Sequence, residues 1–377
     1  MLLTEEQKMV RDMARDFATN RLAPNTVAWE AAAAVPEDVF AEMGSLGLMG
    51  MTVPEAYGGA ETDFISYALA LMEIAGGDGA ISTVMSVNNS PCCAAILKDG
   101  TEAQKQKYLT PLAKGEMIGA FCLTEPHAGS DASALKTKAV RDGDDYIING
   151  TKQFITSGKI GGVALVFAVT DPTAGKRGIS CFIVPTNTPG YRIASVENKL
   201  GQKASDTCQI AFEDVRVPAE NMLGEEGAGY RIALANLETG RIGIGAQSVG
   251  MASAALKHAV DYAKERNSFG SAIIDHQAVG FRLADMATKI EVARQMVLHA
   301  ASLKDAGEPC LTEASMAKLF ASEMAEEVCS AAIQTLGGNG YIADYPVEKI
   351  YRDVRVCQIY EGTSDIQKLV IARSLAA

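Results

Sequence analysis

The stretch Tyr146-Ile147-Ile148-Asn149-Gly150-Thr151-Lys152-Gln153-Phe154-Ile155-Thr156 decides how this chain is read. Two runs rich in β-branched and aromatic residues flank Asn-Gly, a pair that accepts positive φ at both centres of a type I′ turn, so the spacing predicts a β-hairpin. Further strands are expected at Val163–Val169, Ser180–Val184 and Gln209–Val217, with no helix of ordinary length between them. A βαβ unit needs such a helix, so residues 118–228 are expected to form an antiparallel sheet or barrel.

Both flanks of this block read as helical. Upstream, Val10, Met13, Ala14 and Phe17, then Phe64, Tyr67, Ala68 and Leu71, recur at helical spacing. Thr4 and Gln7 have the spacing of a capping box, and the Gly/Pro-rich run Val53–Gly59 reads as an interhelical loop. Downstream, Ala-, Leu- and Met-rich segments run over Tyr230–Glu265, Asp275–Asp305 and Thr312–Leu336. Their short connections, Arg266–Gly270, Ala306–Pro309 and Gly337–Gly340, favour antiparallel packing in a bundle. The expected fold is therefore α+β, with an N-terminal helical domain (1–117), a middle β domain (118–228) and a C-terminal four-helix-type bundle (229–377).

Composition excludes several classes. The 377 residues carry 34 Lys+Arg against 46 Asp+Glu, a formal charge of −12. That balance argues against a general nucleic-acid binder, which needs a basic footprint. Val163–Val169 is far short of the ~20 apolar residues of a membrane-spanning helix, so no membrane insertion is expected. The acidic opening Met1-Leu2-Leu3-Thr4-Glu5-Glu6-Gln7 lacks a basic n-region. Eight cysteines, including the pair Cys92-Cys93 but no C-x-x-C, read as reduced thiols packed as small hydrophobes in a cytoplasmic protein. His127, His258, His276 and His299 lack metal-ligand spacing, so no metal is expected. The dinucleotide, P-loop, nucleophile-elbow and zinc-protease motifs are all missing.

Three segments carry chemistry. In Phe121-Cys122-Leu123-Thr124-Glu125-Pro126-His127-Ala128-Gly129-Ser130-Asp131 a strand opens into a turn of small residues, suited to an anion or simply to a well-capped turn. In Gln358-Ile359-Tyr360-Glu361-Gly362-Thr363-Ser364-Asp365 an apolar run delivers one carboxylate before a helix that Thr363 or Ser364 can cap. Desolvated beside Ile359 and Tyr360, that carboxylate gains the pKa of a general base; otherwise it complements a helix N-terminus. In Gln334-Thr335-Leu336-Gly337-Gly338-Asn339-Gly340-Tyr341 the glycines allow close backbone approach to a ligand, or form a plain interhelical turn.

Taken in order, these segments resemble the acyl-CoA dehydrogenase family of flavoproteins over essentially the whole chain. The matching residues are Thr124-Glu125-Pro126 with Gly129-Ser130-Asp131, Arg266 with Phe269-Gly270, His276-Gln277, Gly337-Gly338 and Tyr360-Glu361-Gly362-Thr363. The resemblance implies a homotetramer that binds FAD partly across a subunit interface. Phe121, Leu123, Thr124, Gly129, Ser130, Phe154 and Thr156 would lie along the flavin, with Thr363 and Asp365 near the last helix. Arg266, Ser268, Phe269, Gln277, Gln334, Gly337 and Gly338 would reach the diphosphate and adenosine portion. The implied reaction is α,β-dehydrogenation of an acyl-CoA thioester, with Glu361 removing the α-proton and an electron-transferring flavoprotein taking the electrons. Ser130, Glu238, Arg241, Tyr360 and Gly362 would contact the substrate.

Some relatives place the catalytic Glu before the substrate-contacting Arg; here that position is Gly240, which leaves the role to Glu361. The segments Ile81–Ser90 and Gly240–Ile244 look most like the short-chain branch, making butyryl-CoA the leading substrate and short branched acyl-CoAs the alternative. A flavin oxidase on the same scaffold is the other enzymatic reading. A non-catalytic or DNA-associated relative predicts a damaged catalytic segment or a basic C-terminal surface, neither of which is present. Two residues depart from the family pattern: His127 in the turn before Gly129, and Phe154 where many members have Trp.

Overall fold

The computed structural model describes residues 1–376. The N-terminal block contains α1 (Glu5–Phe17), α2 (Thr26–Ala32), α3 (Glu37–Ser45), α4 (Phe64–Gly77), α5 (Gly79–Val87), α6 (Ala94–Asp99) and the single turns α7 (Glu102–Gln104) and α8 (Thr110–Ala113). The sheet follows: β1 (Gly119–Cys122), β2 (Lys138–Asp142), β3 (Asp145–Thr156), β4 (Val163–Val169), β5 (Ile179–Pro185), β6 (Tyr191–Val196), β7 (Thr207–Pro218) and β8 (Met222–Leu223). Past a two-residue strand pair, β9 (Asn267–Ser268) with β10 (Ser271–Ala272), lie the long helices α10 (Gln277–Asp305) and α11 (Leu311–Leu336). Before that pair comes α9 (Gly229–Glu265); α12 (Val347–Val354) and α13 (Ser364–Leu375) end the chain.

The expected capping box forms: the Thr4 side chain accepts from Gln7 N while the Gln7 side chain accepts from Thr4 N. The helical blocks at the two ends of the sequence share one apolar core. Buried residues of α4, such as Leu71 and Ile74, belong to the same cluster as Ile242 and Val249 of α9 and Val297 of α10. Gly250 permits the close approach of α9 to α4, since a Cβ there would run into the Met72 carbonyl. Residues Gly79–Asp99 have the length and mean hydropathy of a membrane span, but 83% of that window is buried inside the protein's own core.

Two expectations about the sheet are corrected. Asn149-Gly150 is not a hairpin turn, because both flanking runs belong to the single strand β3, which pairs with β7 along its length. The register shifts between Ile148 and Gly150, marking a bulge. Thr137 occupies the space a Cβ on Gly150 would need, and Asn149 exchanges two 2.9 Å hydrogen bonds with Asp214 across the ladder. The long antiparallel partner β7 thus absorbs the Asn-Gly pair as a bend. The actual reversal lies at Gly143-Asp144, where Gly143 has φ +65° and Asp142 pairs with Asp145.

The sheet is also mixed and not wholly antiparallel. Its order is β6-β7-β3-β2-β4-β5-β8, with β1 parallel to β4 and a parallel bridge joining Lys138 to Val169. The β2–β3 hairpin intervenes between β1 and β4, so a parallel pair forms without a crossover helix. β1 therefore runs beside the buried residues Val163–Val166 of β4 and ends just before the Thr124-Glu125-Pro126 loop.

Candidate active site

A cavity of about 810 Å³ lies where the end of β1, the bulged strand β3, helix α9 and the segment before α13 converge. That volume falls within the usual range for small-molecule and cofactor sites. Its walls include Phe121, Leu123, Thr124, Gly129, Ser130, Phe154 and Thr156 on the sheet side, and Arg241, Tyr360, Glu361, Gly362 and Thr363 on the helical side. Residues separated by more than two hundred positions meet here because α9 crosses from the sheet back into the helical core.

Glu361 sits in the left-handed region at φ +52°, followed by Gly362 at φ +90°. Thr363 then caps α13 by accepting from Ile366 N. Two successive positive φ values turn the chain sharply, and the carbonyls of Glu361 and Gly362 are held from inside by the buried Gln367 amide, at 3.3 and 2.8 Å. The Gly362 carbonyl also accepts from Lys318 Nζ at 2.6 Å. Glu361 Oε2 is buried without a hydrogen-bond partner. Burial raises its carboxyl to about 7, although the nearby Lys318 and Arg241 charges pull the other way. A base that gains and loses its proton near neutrality, with one oxygen free, suits abstraction of a weakly acidic proton.

Gly240 explains the room this carboxyl has. A Cβ at Gly240 would lie 2.8 Å from Glu361 Cδ and 3.3 Å from Oε1, and nearer still to Oε2. Position 240 and the Glu361 carboxyl therefore face the same point. Arg241, buried next door, bonds Ser315 through Nη1 while its Nε has no partner.

The loop after β1 is stitched together by a buried ion pair. Glu125 accepts from Lys152 Nζ at 2.8 Å, Lys136 N at 2.7 Å and Thr137 N at 3.0 Å; Lys152 also donates to the Leu123 carbonyl at 3.0 Å. Burial alone would raise the Glu125 carboxyl, but Lys152 and these N–H groups hold it below the ordinary carboxylate range. His127 extends from this turn with Nε2 3.5 Å from Glu125 Oε2. Phe154, in β3, has φ +58° and is 64% exposed, an apolar ring held out over the cavity.

The remaining expected site residues lie elsewhere. Arg266, Gly337 and Gly338 line a second cavity of about 380 Å³ with Tyr262 and Asn339. Ser268 is hydrogen-bonded to His276, Phe269 is fully exposed, and Gln277 and Gln334 are exposed. The helix path from Arg241 to Glu265 spans about 36 Å at 1.5 Å per residue, which separates this group from Glu361 within one chain. Glu238 lies outside the main cavity wall, with Cys310 Sγ 3.6 Å from its Oε1, and Asp365 is exposed at the start of α13. Thr83, Val87, Pro91 and Gln247 also line the cavity, and Lys318 stands behind it. Thr83 and Val87 fall in the Ile81–Ser90 segment singled out for its resemblance, whereas Pro91, Gln247 and Lys318 carried no local motif.

The cavity fits an FAD-sized, polar-edged ligand. Ser205 Oγ, Arg241 Nε, Arg355 Nη1 and Glu361 Oε2 are buried on its wall without partners, and a Cβ on Gly129 would meet only open space. Three family models match: acyl-CoA dehydrogenase N-terminal domain over residues 4–116, middle domain over 120–215 and C-terminal domain over 227–376. A short-chain-specific acyl-CoA dehydrogenase from Clostridium acetobutylicum is 46% identical, over 98% of each chain. Butyryl-CoA dehydrogenase from Megasphaera elsdenii superposes with a TM-score of 0.98 at 42% identity, covering 100% of both chains. A chain in a structure of the electron transferring flavoprotein of Acidaminococcus fermentans, concerned with flavin-based electron bifurcation, gives 0.98 at 48% identity, covering 100% of this chain and 99% of that one. Glutaryl-CoA dehydrogenase from Mycobacterium smegmatis in complex with FADH2 gives 0.94 at 34% identity, covering 99% and 95%. A buried, unpartnered carboxyl at the meeting point of a sheet and a shared helical core, with these matches along the whole length, places the chain in the acyl-CoA dehydrogenase family of FAD enzymes.

Proposed function

We propose that the protein oxidises short-chain acyl-CoA thioesters to trans-2-enoyl-CoA, with Glu361 as the base. The observation that carries this reading is Glu361 itself: on the cavity wall, with Oε2 buried and free, and its carboxyl pushed up to about 7 by burial. Bound FAD would supply an acceptor for the β-hydrogen as hydride. Phe121, Leu123, Thr124, Gly129, Ser130, Phe154, Thr156 and Thr363 would hold it along the cavity. The Glu361 N–H has no acceptor among the described residues, so it is available to the thioester oxygen as negative charge develops there. Oε2 takes the α-proton, and Gly362, at φ +90°, lets the chain turn where a Cβ would run into Gln367.

A short acyl chain is supported by a polar network on the cavity wall. There the Tyr360 hydroxyl donates to Gln247 Oε1 at 3.2 Å, Gln247 Nε2 donates to Thr83 Oγ1 at 3.0 Å, and Thr83 Oγ1 donates to Gln202 Oε1 at 2.7 Å. A longer chain would have to break this buried polar network without replacing its hydrogen bonds. Because Arg266, Ser268, Phe269, Gln277, Gln334, Gly337 and Gly338 lie far from Glu361 along α9, they would serve the FAD of another copy. The fully exposed Phe269 supports such an interface and, with it, a homotetramer. Electrons would pass to an electron-transferring flavoprotein, in the cytoplasm.

The test is anaerobic mixing of the purified yellow protein with acyl-CoAs from C4 to C16, including isobutyryl- and 2-methylbutyryl-CoA. Butyryl-CoA should bleach the flavin fastest. Fastest bleaching by a long-chain substrate would refute the chain-length reading, and rapid stoichiometric peroxide formation without a protein acceptor would refute the dehydrogenase reading.

A further inference from the structure

Lys318 is a full-length cation in the middle of α11 with 0% exposure, among the alanines that form the helix's packed face. Charged side chains are almost never fully buried unless something compensates them. Its one hydrogen bond is to the Gly362 carbonyl, at 2.6 Å. No carboxylate lies within ion-pair distance among the described residues, so Lys318 is not half of a structural salt bridge, unlike Lys152 or Lys349. The nearest chemistry it can affect is the Glu361-Gly362 turn.

We propose that Lys318 is a positioning residue for Glu361: it anchors the Glu361-Gly362 turn through the Gly362 carbonyl and supplies the positive charge that lets the Glu361 carboxyl ionise inside an apolar cavity. This inference rests on Glu361 being the base. Gln367 alone holds the Glu361 carbonyl, but it shares the Gly362 carbonyl with Lys318, so the turn is pinned from α11 and α13 together. An anchor needs only a hydrogen-bond donor, which serine or neutral amines supply. A lysine also brings a charge, whose desolvation is costly and which therefore calls for a partner in the same low-dielectric region.

The electrostatic neighbourhood agrees. Burial lowers the Lys318 ammonium to about 8, opposed by Cys357 and Glu361 and aided by Arg241. The other charged or titratable groups acting on this pair are Glu323 on α11 and Tyr67 on α4, while Glu238 on α9 acts on Arg241. Arg241 approaches Glu361 from α9 and Lys318 from α11, so two cations on different helices act on one carboxyl.

Lys318→Met keeps the apolar stem and removes the charge and the donor; Lys318→Arg restores both. The holoenzymes are compared by the infrared band of the protonated Glu361 carboxyl, identified by its loss in Glu361→Gln and titrated against pH, together with the pH profile of flavin reduction by butyryl-CoA. Lys318→Met should keep its flavin but raise the Glu361 midpoint by about one pH unit, as loss of a nearby opposite charge does. Flavin reduction at pH 7 should fall, with partial recovery at higher pH, and Lys318→Arg should move the midpoint back toward the original. An unchanged midpoint in Lys318→Met would overturn the proposal, as would a rate loss independent of pH. The base assignment fails separately: Glu361→Gln would then still bleach rapidly.

Discussion

Gly240→Ala tests the geometry of the site more sharply than removal of the Glu361 carboxyl, because it adds one methyl group and changes no charge. The added carbon would stand 2.8 Å from Glu361 Cδ, whereas unstrained carbon contacts lie at about 3.5–4.0 Å. The carboxyl must therefore retreat by roughly 1 Å, and the open cavity on its other side lets it do so without moving backbone. A misplacement of that size costs about 100-fold in rate when the reacting atoms must meet in line. The fold should not suffer, since replacing a helix-interior Gly by Ala stabilises by roughly 0.5–1 kcal/mol. Anaerobic stopped-flow bleaching with butyryl-CoA should slow by about two orders of magnitude, while the melting temperature and flavin content hold or rise. Bleaching within a few-fold of the unaltered protein would refute the placement of Glu361 against α9. A rate loss accompanied by a lower melting temperature would refute the argument that the side chain yields and the helix does not.

Glu361→Gln should retain flavin and abolish bleaching by butyryl-CoA; rapid bleaching by this variant would exclude Glu361 as the base. In the unaltered protein the flavin-reduction rate should rise with pH through about 7 and level off above it, since the proposed base, Glu361, must be ionised and burial has raised its carboxyl to about 7. A profile flat from pH 5 to 9 would contradict that. The same shift makes Glu361 a cost to stability. Its folded-state value lies above the ordinary 4.5, so the native state holds the extra proton and stability attributable to this group falls as pH rises from about 4.5 to about 7. Glu361→Gln should therefore be more stable above pH 8 by at most about 3 kcal/mol, with little difference at pH 4.5, as measured by urea unfolding. Lys152→Met strands a buried carboxylate at Glu125 and should cost about 3–5 kcal/mol, with loss of flavin as the 123–137 loop loosens; a melting temperature unchanged from the parent would refute the role given to that pair.

The helices of this protein were legible because their causes are local. The three long C-terminal helices follow their apolar spacing to within a few residues at each end, and Thr4 with Gln7 forms the capping box their spacing predicts. Strand β4 spans Val163–Val169 as read, since a short, Val-rich run of seven apolar residues suits a strand in the middle of a sheet. The cysteines, too, are buried free thiols. Strands Lys138–Asp142 and Tyr191–Val196 escaped notice because they are mostly exposed and lack apolar alternation.

By itself, the sequence determined the helical, β, helical order and the family to which its motifs belong, and it singled out Glu361 as a carboxylate with two possible roles. Tertiary structure decided what those elements do together. Whether Asn149-Gly150 turns or bends depended on β7, some sixty residues away, and the direction of β1 depended on the hairpin inserted before β4. Whether Glu361 merely complements a helix or sits poised near neutrality depended on burial, on Gly240 leaving space, and on two cations brought from α9 and α11. Periodicity and capping act between residues a few positions apart and are written in the local sequence. Strand register and the dielectric surroundings of a charge arise from residues distant in the chain, and they exist only once it has folded.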